Sequence, residues 1–279
     1  MRKKIITLFL IACLVGAVWV WQNHSRHVSN IVQQYVENGE IIAVKPRYTP
    51  DEIMELHKKE LIADEQHKFL KPEVKYHPYL LLEIKYLNDK KPREGYSLWS
   101  MIDGELVSNT DSWDKSHGFE DALNAGATRY DFLLMQALKQ KTASLDQLQQ
   151  NLHVEKETLS QWINSALSKQ LIVQKGNEIQ LHFQDPKIPS SPETKVSNLL
   201  VKKPFDKTDR LSPKYSANQI IKNAKAAFGE EFTVRNSSDV YLPVYSITVI
   251  NPDHSTFTTY WNAVNGQQVH PRYSYKGMY

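Results

Sequence analysis

The chain reads as an α+β protein carried behind an N-terminal transmembrane helix, and three observations predict this. Residues 5–21, IITLFLIACLVGAVWVW, run for seventeen positions without a charge and follow Arg2, Lys3 and Lys4. Beyond them, segments with apolar residues at helical spacing alternate with segments that alternate polar and apolar. Fourteen Tyr, nine Phe and six Trp against ten Gly point to folded, strand-containing domains rather than disorder.

At ~1.5 Å per residue the apolar stretch covers roughly 25 Å, just short of a hydrocarbon core of about 30 Å. Trp19 and Trp21 at the interface absorb that mismatch. The basic residues precede the stretch, and only Arg26 follows closely, which predicts the N-terminus in the cytoplasm and the bulk outside. Bulky Val18, Trp19, Val20 and Trp21 make a poor signal-peptidase exit, so an uncleaved anchor is favoured over a cleaved signal. Leu10-Ile11-Ala12-Cys13 resembles the lipobox of bacterial lipoproteins, which makes Cys13 a candidate lipidation site and a lipoprotein the alternative. Apolar residues nevertheless continue for eight positions past Cys13, where a lipoprotein turns polar.

Net charge is +3, from 34 basic and 31 acidic residues, so no global attraction to nucleic acid or an acidic surface is implied. Cys13 is the single cysteine, which excludes a disulfide-stapled scaffold and leaves stability to apolar cores.

Residues 1–22 are thus the anchor, and 23–48 a juxtamembrane stem in which Val28, Ile31, Val32 and Tyr35 have helical spacing as far as Asn38-Gly39. Residues 49–127 form a membrane-proximal α+β module. In it Thr49-Pro50-Asp51-Glu52 opens a helix over 50–70, because Thr caps, Pro fits the first turn and acids favour the N-terminus. Strands over 79–87 and 96–102 and a hairpin at Asp103-Gly104 follow, then a helix from about residue 110 to 126 with Phe119, Ala122 and Leu123 inward.

Over residues 128–186 the pattern is helix, helix, helix, hairpin. Phe132, Leu133, Met135 and Leu138 build the first helix, and Ser144-Leu145-Asp146-Gln147 is a capping box for the second. Leu159, Trp162, Ile163, Ala166 and Leu167 build the third, and Ile179, Leu181 and Phe183 alternate in the hairpin. This order resembles a winged helix-turn-helix domain. Residues 187–211, with SSPETKVS and a basic run over 202–207, read as a linker.

Residues 212–279 carry a helix over 217–228 ended by Gly229 as a left-handed cap, strands over 232–235, 241–250 and 256–263, and a turn at Asn265-Gly266. Helix, long strand, hairpin and the closing WNAVNGQQV resemble the PepSY family, with Asn262 where that family has an acid. The resemblance implies an exported binding or inhibitory module, often found beside peptidases.

DNA binding would use the polar face of the third helix in the 128–186 segment, where Gln161, Asn164 and Ser168 stand. That segment has six basic and six acidic residues, a poor basis for phosphate neutralisation. Nucleic acid is therefore disfavoured as a partner, and an envelope protein is favoured; Gln161, Asn164 and Ser168, with Tyr245 and Tyr260 of the aromatic-rich C-terminal region, are the candidate contacts. Ser116 and His117, adjacent in sequence, point to different sides of a helix and make no nucleophile–base pair. His57 and His67, ten apart, do not fit a zinc pair, and no Gly-rich phosphate loop occurs. Catalytic residues, cofactors and metal ligands are not expected. A membrane-anchored binding, scaffolding or regulatory protein of the envelope is the favoured class. The alternatives are a membrane-tethered transcription regulator of reversed topology and an envelope hydrolase.

Overall fold

The computed structural model describes residues 40–62, 66–89, 91–139, 142–204 and 209–269. The expected anchor over 5–21 and Cys13 lie outside these residues. Among the described residues no helix is long and apolar enough to cross a membrane. Two compact units partition the chain: Glu40, Ile41 and residues 202–204 belong to the smaller, in which Lys202 Nζ lies 3.9 Å from Glu40, and the other described residues belong to the larger.

In chain order the elements begin with β1 (Glu40–Val44), α1 (Pro50–Leu56), α2 (Lys58–Leu61), β2 (Lys68–Phe69), β3 (Glu73–Asn88), β4 (Lys91–Ser100), β5 (Leu106–Asn109), β6 (Asp114–Lys115) and α3 (Phe119–Ala125). They continue with α4 (Arg129–Leu138), β7 (Ala143–Ser144), α5 (Leu145–Leu152), α6 (Lys156–Ser168), β8 (Ile172–Lys175), β9 (Glu178–Leu181), β10 (Leu200–Pro204), α7 (Ala217–Phe228), β11 (Thr233–Ile250) and β12 (Thr256–Asn262). The class is mixed α and β, as expected.

The larger unit is organised on β11. Along its first half β11 pairs antiparallel with β3, from Thr233 opposite Lys85 to Pro243 opposite Tyr76. Along its second half it pairs with β12, from Val244 opposite Asn262 to Ile250 opposite Thr256. Ala43 of β1 lies parallel beside Tyr241, and β3, β4, β5 and β6 follow in order. A bulge between Val234 and Asn236 interrupts the β3 ladder near the start of β11. Residues expected in two modules, 49–127 and 212–279, therefore share one sheet.

Parity along β3 divides the sheet into two faces. Leu80, Leu82, Ile84 and Tyr86 pack with Trp99, Phe119, Phe132 and Phe232 in the largest core, against the helical residues. Tyr79, with Leu98, Val107, Trp113, Val240, Leu242 and Val244, forms a second core on the other face. Ile53, Leu61, Tyr245, Ile247, Val249 and Trp261 make a third cluster beneath α1 and α2.

Three helices and a hairpin occupy the 128–186 segment. Thr128 caps α4 with Asp131, and Ser144 caps α5 with Gln147, each satisfying otherwise unpaired N–H groups at a helix start. The short strand β7, absent from the sequence reading, pairs with β9 to give a small sheet of order β7-β9-β8.

Several expected elements differ. Residues 40–44, which follow the Asn38-Gly39 break in the stem, form a strand. The helix expected over 50–70 stops at Leu61, with His57 interrupting it after the seven residues that the Thr49 capping box opens. The helix expected from residue 110 begins only at Phe119; before it the chain makes β6, because Val107 and Asn109 hold Lys115 and Asp114 in register. Within the segment expected as a linker, residues 187–198 are packed rather than free: Ile188 and Thr194 are buried, and Thr194 N donates to Tyr96 O at 2.7 Å. Gly229 has φ 89° and ψ −173°, positive but extended rather than the left-handed helical cap expected.

Candidate functional site

On the face of the sheet away from the helices lies a cavity of about 430 Å³, lined by residues of β3, β4, β6, β11 and β12 and by the loop that follows β12. Its polar centre is a chain of four side chains. Lys115 Nζ lies 2.8 Å from Asp103 Oδ2, and the ammonium stands 5.4 Å from the centre of the Tyr79 ring. The Tyr79 hydroxyl accepts a hydrogen bond from Trp113 Nε1 at 2.9 Å, with the two rings edge-on at 5.3 Å.

Local sequence explains each placement. Ser100 N donates to Glu105 O and Gly104 N to Ser100 O, closing the turn between β4 and β5 and burying Asp103 inside it. Asp103 Oδ1 then accepts from Glu105 N at 3.2 Å, which leaves Oδ2 for Lys115. Trp113 has φ 59°, an uncommon conformation for a bulky residue, held by its indole hydrogen bond and its packing on Tyr79. His77 sits on β3 opposite Leu242 and is almost wholly buried. The closing loop is fixed by Asn262 Oδ1, which accepts from Val264 N at 2.8 Å, and by Asn265 Nδ2, which donates to Ser112 O at 2.6 Å.

The electrostatics follow from burial and charge. Burial, then the nearby Lys115 ammonium, lowers the His77 pKa from 6.5 to about 3, so the ring is neutral at ordinary pH. Burial opposes the charge on Lys115, but Tyr79 and Asp103 outweigh it and hold the ammonium well above the usual lysine range. Burial likewise raises Tyr79, which stays a phenol. General acid–base work at neutral pH is served by groups that titrate near it, and these three sit away from it.

A second buried carboxylate, Glu105, lies one turn away in sequence. Its Oε2 accepts from Ser116 Oγ at 2.5 Å, and its Oε1 from the backbone N–H groups of Gly118 and Glu120 at 3.0 Å each. Burial raises its pKa, while these donors pull the other way. Ser116 thus serves Glu105, and His117 Nδ1 lies 3.0 Å from Asp185 O, so the adjacent Ser and His do not meet. Among the described residues no group of three or more His, Cys, Asp or Glu could hold a metal ion.

The sequence-derived contact residues separate into two sets. Gln161, Asn164 and Ser168 are exposed together on α6, with the Ser168 hydroxyl donating to Ser165 O at 2.7 Å. Beside them Trp162 stacks on Tyr130 of α4, ring centres 4.6 Å apart and 21° from parallel, and Tyr130 is 52% exposed. Tyr245 is instead a core residue, 6% exposed, whose hydroxyl donates to Tyr48 O at 2.9 Å. Tyr260 is half-buried against the second core, and its pairing with Ser246 puts it on the opposite face from Tyr245. Sequence reasoning assigned no role to His77, Tyr79, Asp103 or Lys115, which meet only in the folded chain.

No family model, curated protein or solved structure matches the chain.

Proposed function

We propose that this is a membrane-tethered binding protein that engages a protein partner of the bacterial envelope through a winged-helix-like unit over residues 128–186. The observation that carries the reading is the exposed Tyr130–Trp162 stack next to the uncharged row Gln161, Asn164 and Ser168. Aromatic groups with a half-buried body and an accessible face make effective interface anchors, because little conformational entropy is lost on docking. Thr158 and Ser165 connect the stack to that row on the helix surface, so one partner can cover both.

Further support comes from charge. Six basic and six acidic residues leave the unit neutral, unsuited to a phosphate backbone. In the cavity, a neutral His77 and a paired Lys115 fit recognition better than proton transfer. The anchor over 5–21 supplies the tether in this reading, with the remaining chain extracytoplasmic. The order helix, long strand, hairpin supports the PepSY-like reading of residues 212–279, and β11 pairs outside that segment with β3 as well as inside it with β12.

The test places a photo-crosslinking amino acid at Gln161 or Asn164 in the full chain in cells. Crosslinking to one envelope protein, lost on Tyr130→Ala with Trp162→Ala, is the expected result. Crosslinking to DNA, or a protein adduct indifferent to the double substitution, would overturn the reading and favour the tethered regulator.

A further inference from the structure

We infer that the cavity beside Lys115 is a binding site for a small organic acid, a monocarboxylate with a short apolar body. This reaches beyond docking through α6, since the cavity lies on the other face of the sheet and would bind its ligand whether or not a protein partner exists.

The size is suitable: about 430 Å³ falls within the ~300–1,000 Å³ of small-molecule sites. The sign of the charge is set by which half of the ion pair faces the cavity. Lys115 lines the wall and is 23% exposed, whereas Asp103 is 2% exposed and lies behind it. Both Asp103 oxygens are turned to protein donors, Lys115 Nζ and Glu105 N. Among the described lining residues there is no carboxylate, while Asn265 and Gln267 bring carboxamides to the rim. A cationic ligand would therefore meet the ammonium without a balancing acid. A dianion would bring two charges to a single cation that Asp103 already pairs from behind. One negative charge is the best match.

The body of the ligand follows from the other walls. Ile102, Leu242 and Val269 are aliphatic and offer dispersion and burial rather than hydrogen bonds. A sugar would want an open aromatic face, but the Lys115 ammonium stands over the Tyr79 ring and Trp113 is 8% exposed. The ammonium is already fixed by Asp103, so little side-chain freedom is lost when a carboxylate arrives.

The experiment uses the full chain in lipid nanodiscs, with empty discs as the blank, and titrates hexanoate, hexanamide and hexylamine by calorimetry. Hexanoate should bind saturably, hexanamide about tenfold more weakly or worse because a charge-assisted hydrogen bond is lost, and hexylamine not at all. Asp103→Asn combined with Lys115→Met removes both charges at similar volume and should erase the preference of acid over amide. Val269→Trp, which fills the cavity from its rim and leaves the ion pair intact, should abolish hexanoate binding even if the double variant fails to fold. Absence of hexanoate binding, equal binding of acid and amide, or hexanoate binding that survives Val269→Trp would overturn the inference.

Discussion

His77→Gln should make the protein less sensitive to acid, by an amount that can be worked out beforehand. Folding moves the His77 pKa from 6.5 to about 3, chiefly through burial and then through the Lys115 ammonium. Between those values the unfolded chain binds a proton that the folded chain refuses, so stability falls as pH drops through 6.5 towards 3. With these two values the linkage relation gives a loss of about 2 kcal/mol at pH 5 and about 3 kcal/mol at pH 4, relative to neutral pH. Gln is neutral throughout and keeps a donor and an acceptor, so the variant lacks this loss. Glu105, raised by burial, works in the opposite sense: its folded form holds a proton more readily, so lower pH favours the folded state. That contribution is common to both proteins and cancels in the difference. Urea unfolding followed by tryptophan fluorescence at pH 7.5 and pH 5, in one detergent, measures the quantity directly. Equal loss of stability in parent and variant would show that His77 is not held neutral by its surroundings, and the account of the cavity electrostatics would fail.

Breaking the Asp103–Lys115 pair from one side should cost about 3 kcal/mol, the low end for a buried pair because Lys115 retains 23% exposure. Removing both charges should cost less than the sum of the single changes, and a double-mutant cycle by denaturation checks this; strict additivity would refute the coupling. Gly104→Ala should destabilise by about 1–2 kcal/mol, since Gly104 has φ 69° and that strain remains even if the Leu123 methyl, 2.2 Å from an added Cβ, swings aside. A thermal melt unchanged by the substitution would contradict it. Arg129→Met should cost about 1 kcal/mol, because the guanidinium donates to the carbonyls of Ala226 and Ala227 at the end of α7, where a cation also suits the helix dipole. The unfolding midpoint reports it, and an increase would be contrary to the argument.

Local signals in the sequence were legible where the physics is local. Thr49 and Ser144 both cap helices with a reciprocal partner three residues on, and such a box is visible in any window that contains both residues. The helices and hairpin of the 128–186 segment have the same character: each apolar stripe is complete within one element, as with Leu159, Ile163 and Ala166. The helix misplaced over 110–118 shows the opposite case. Asp114 and Lys115 lack strand propensity, and they are extended because β5 offers them a ladder. The packed course of residues 187–200 was hidden for the same reason, since Thr194 and Lys195 find their backbone partners at Tyr96 and Ser108, about a hundred positions away.

The cavity carries this argument further. His77, Tyr79, Ser100, Trp113 and Lys115 belong to one stretch of chain, but Leu242, Asn262 and Asn265 come from another, and the pairing of β3 with β11 brings the two stretches together. Had residues 212–279 closed their own sheet, β3 would have kept an open edge at Tyr76 to Lys85 and the cavity would have had half its wall. Chemistry placed at that seam is reached by neither segment alone. A ligand in the cavity therefore stabilises the junction itself, because it binds the assembled sheet and not its separated halves.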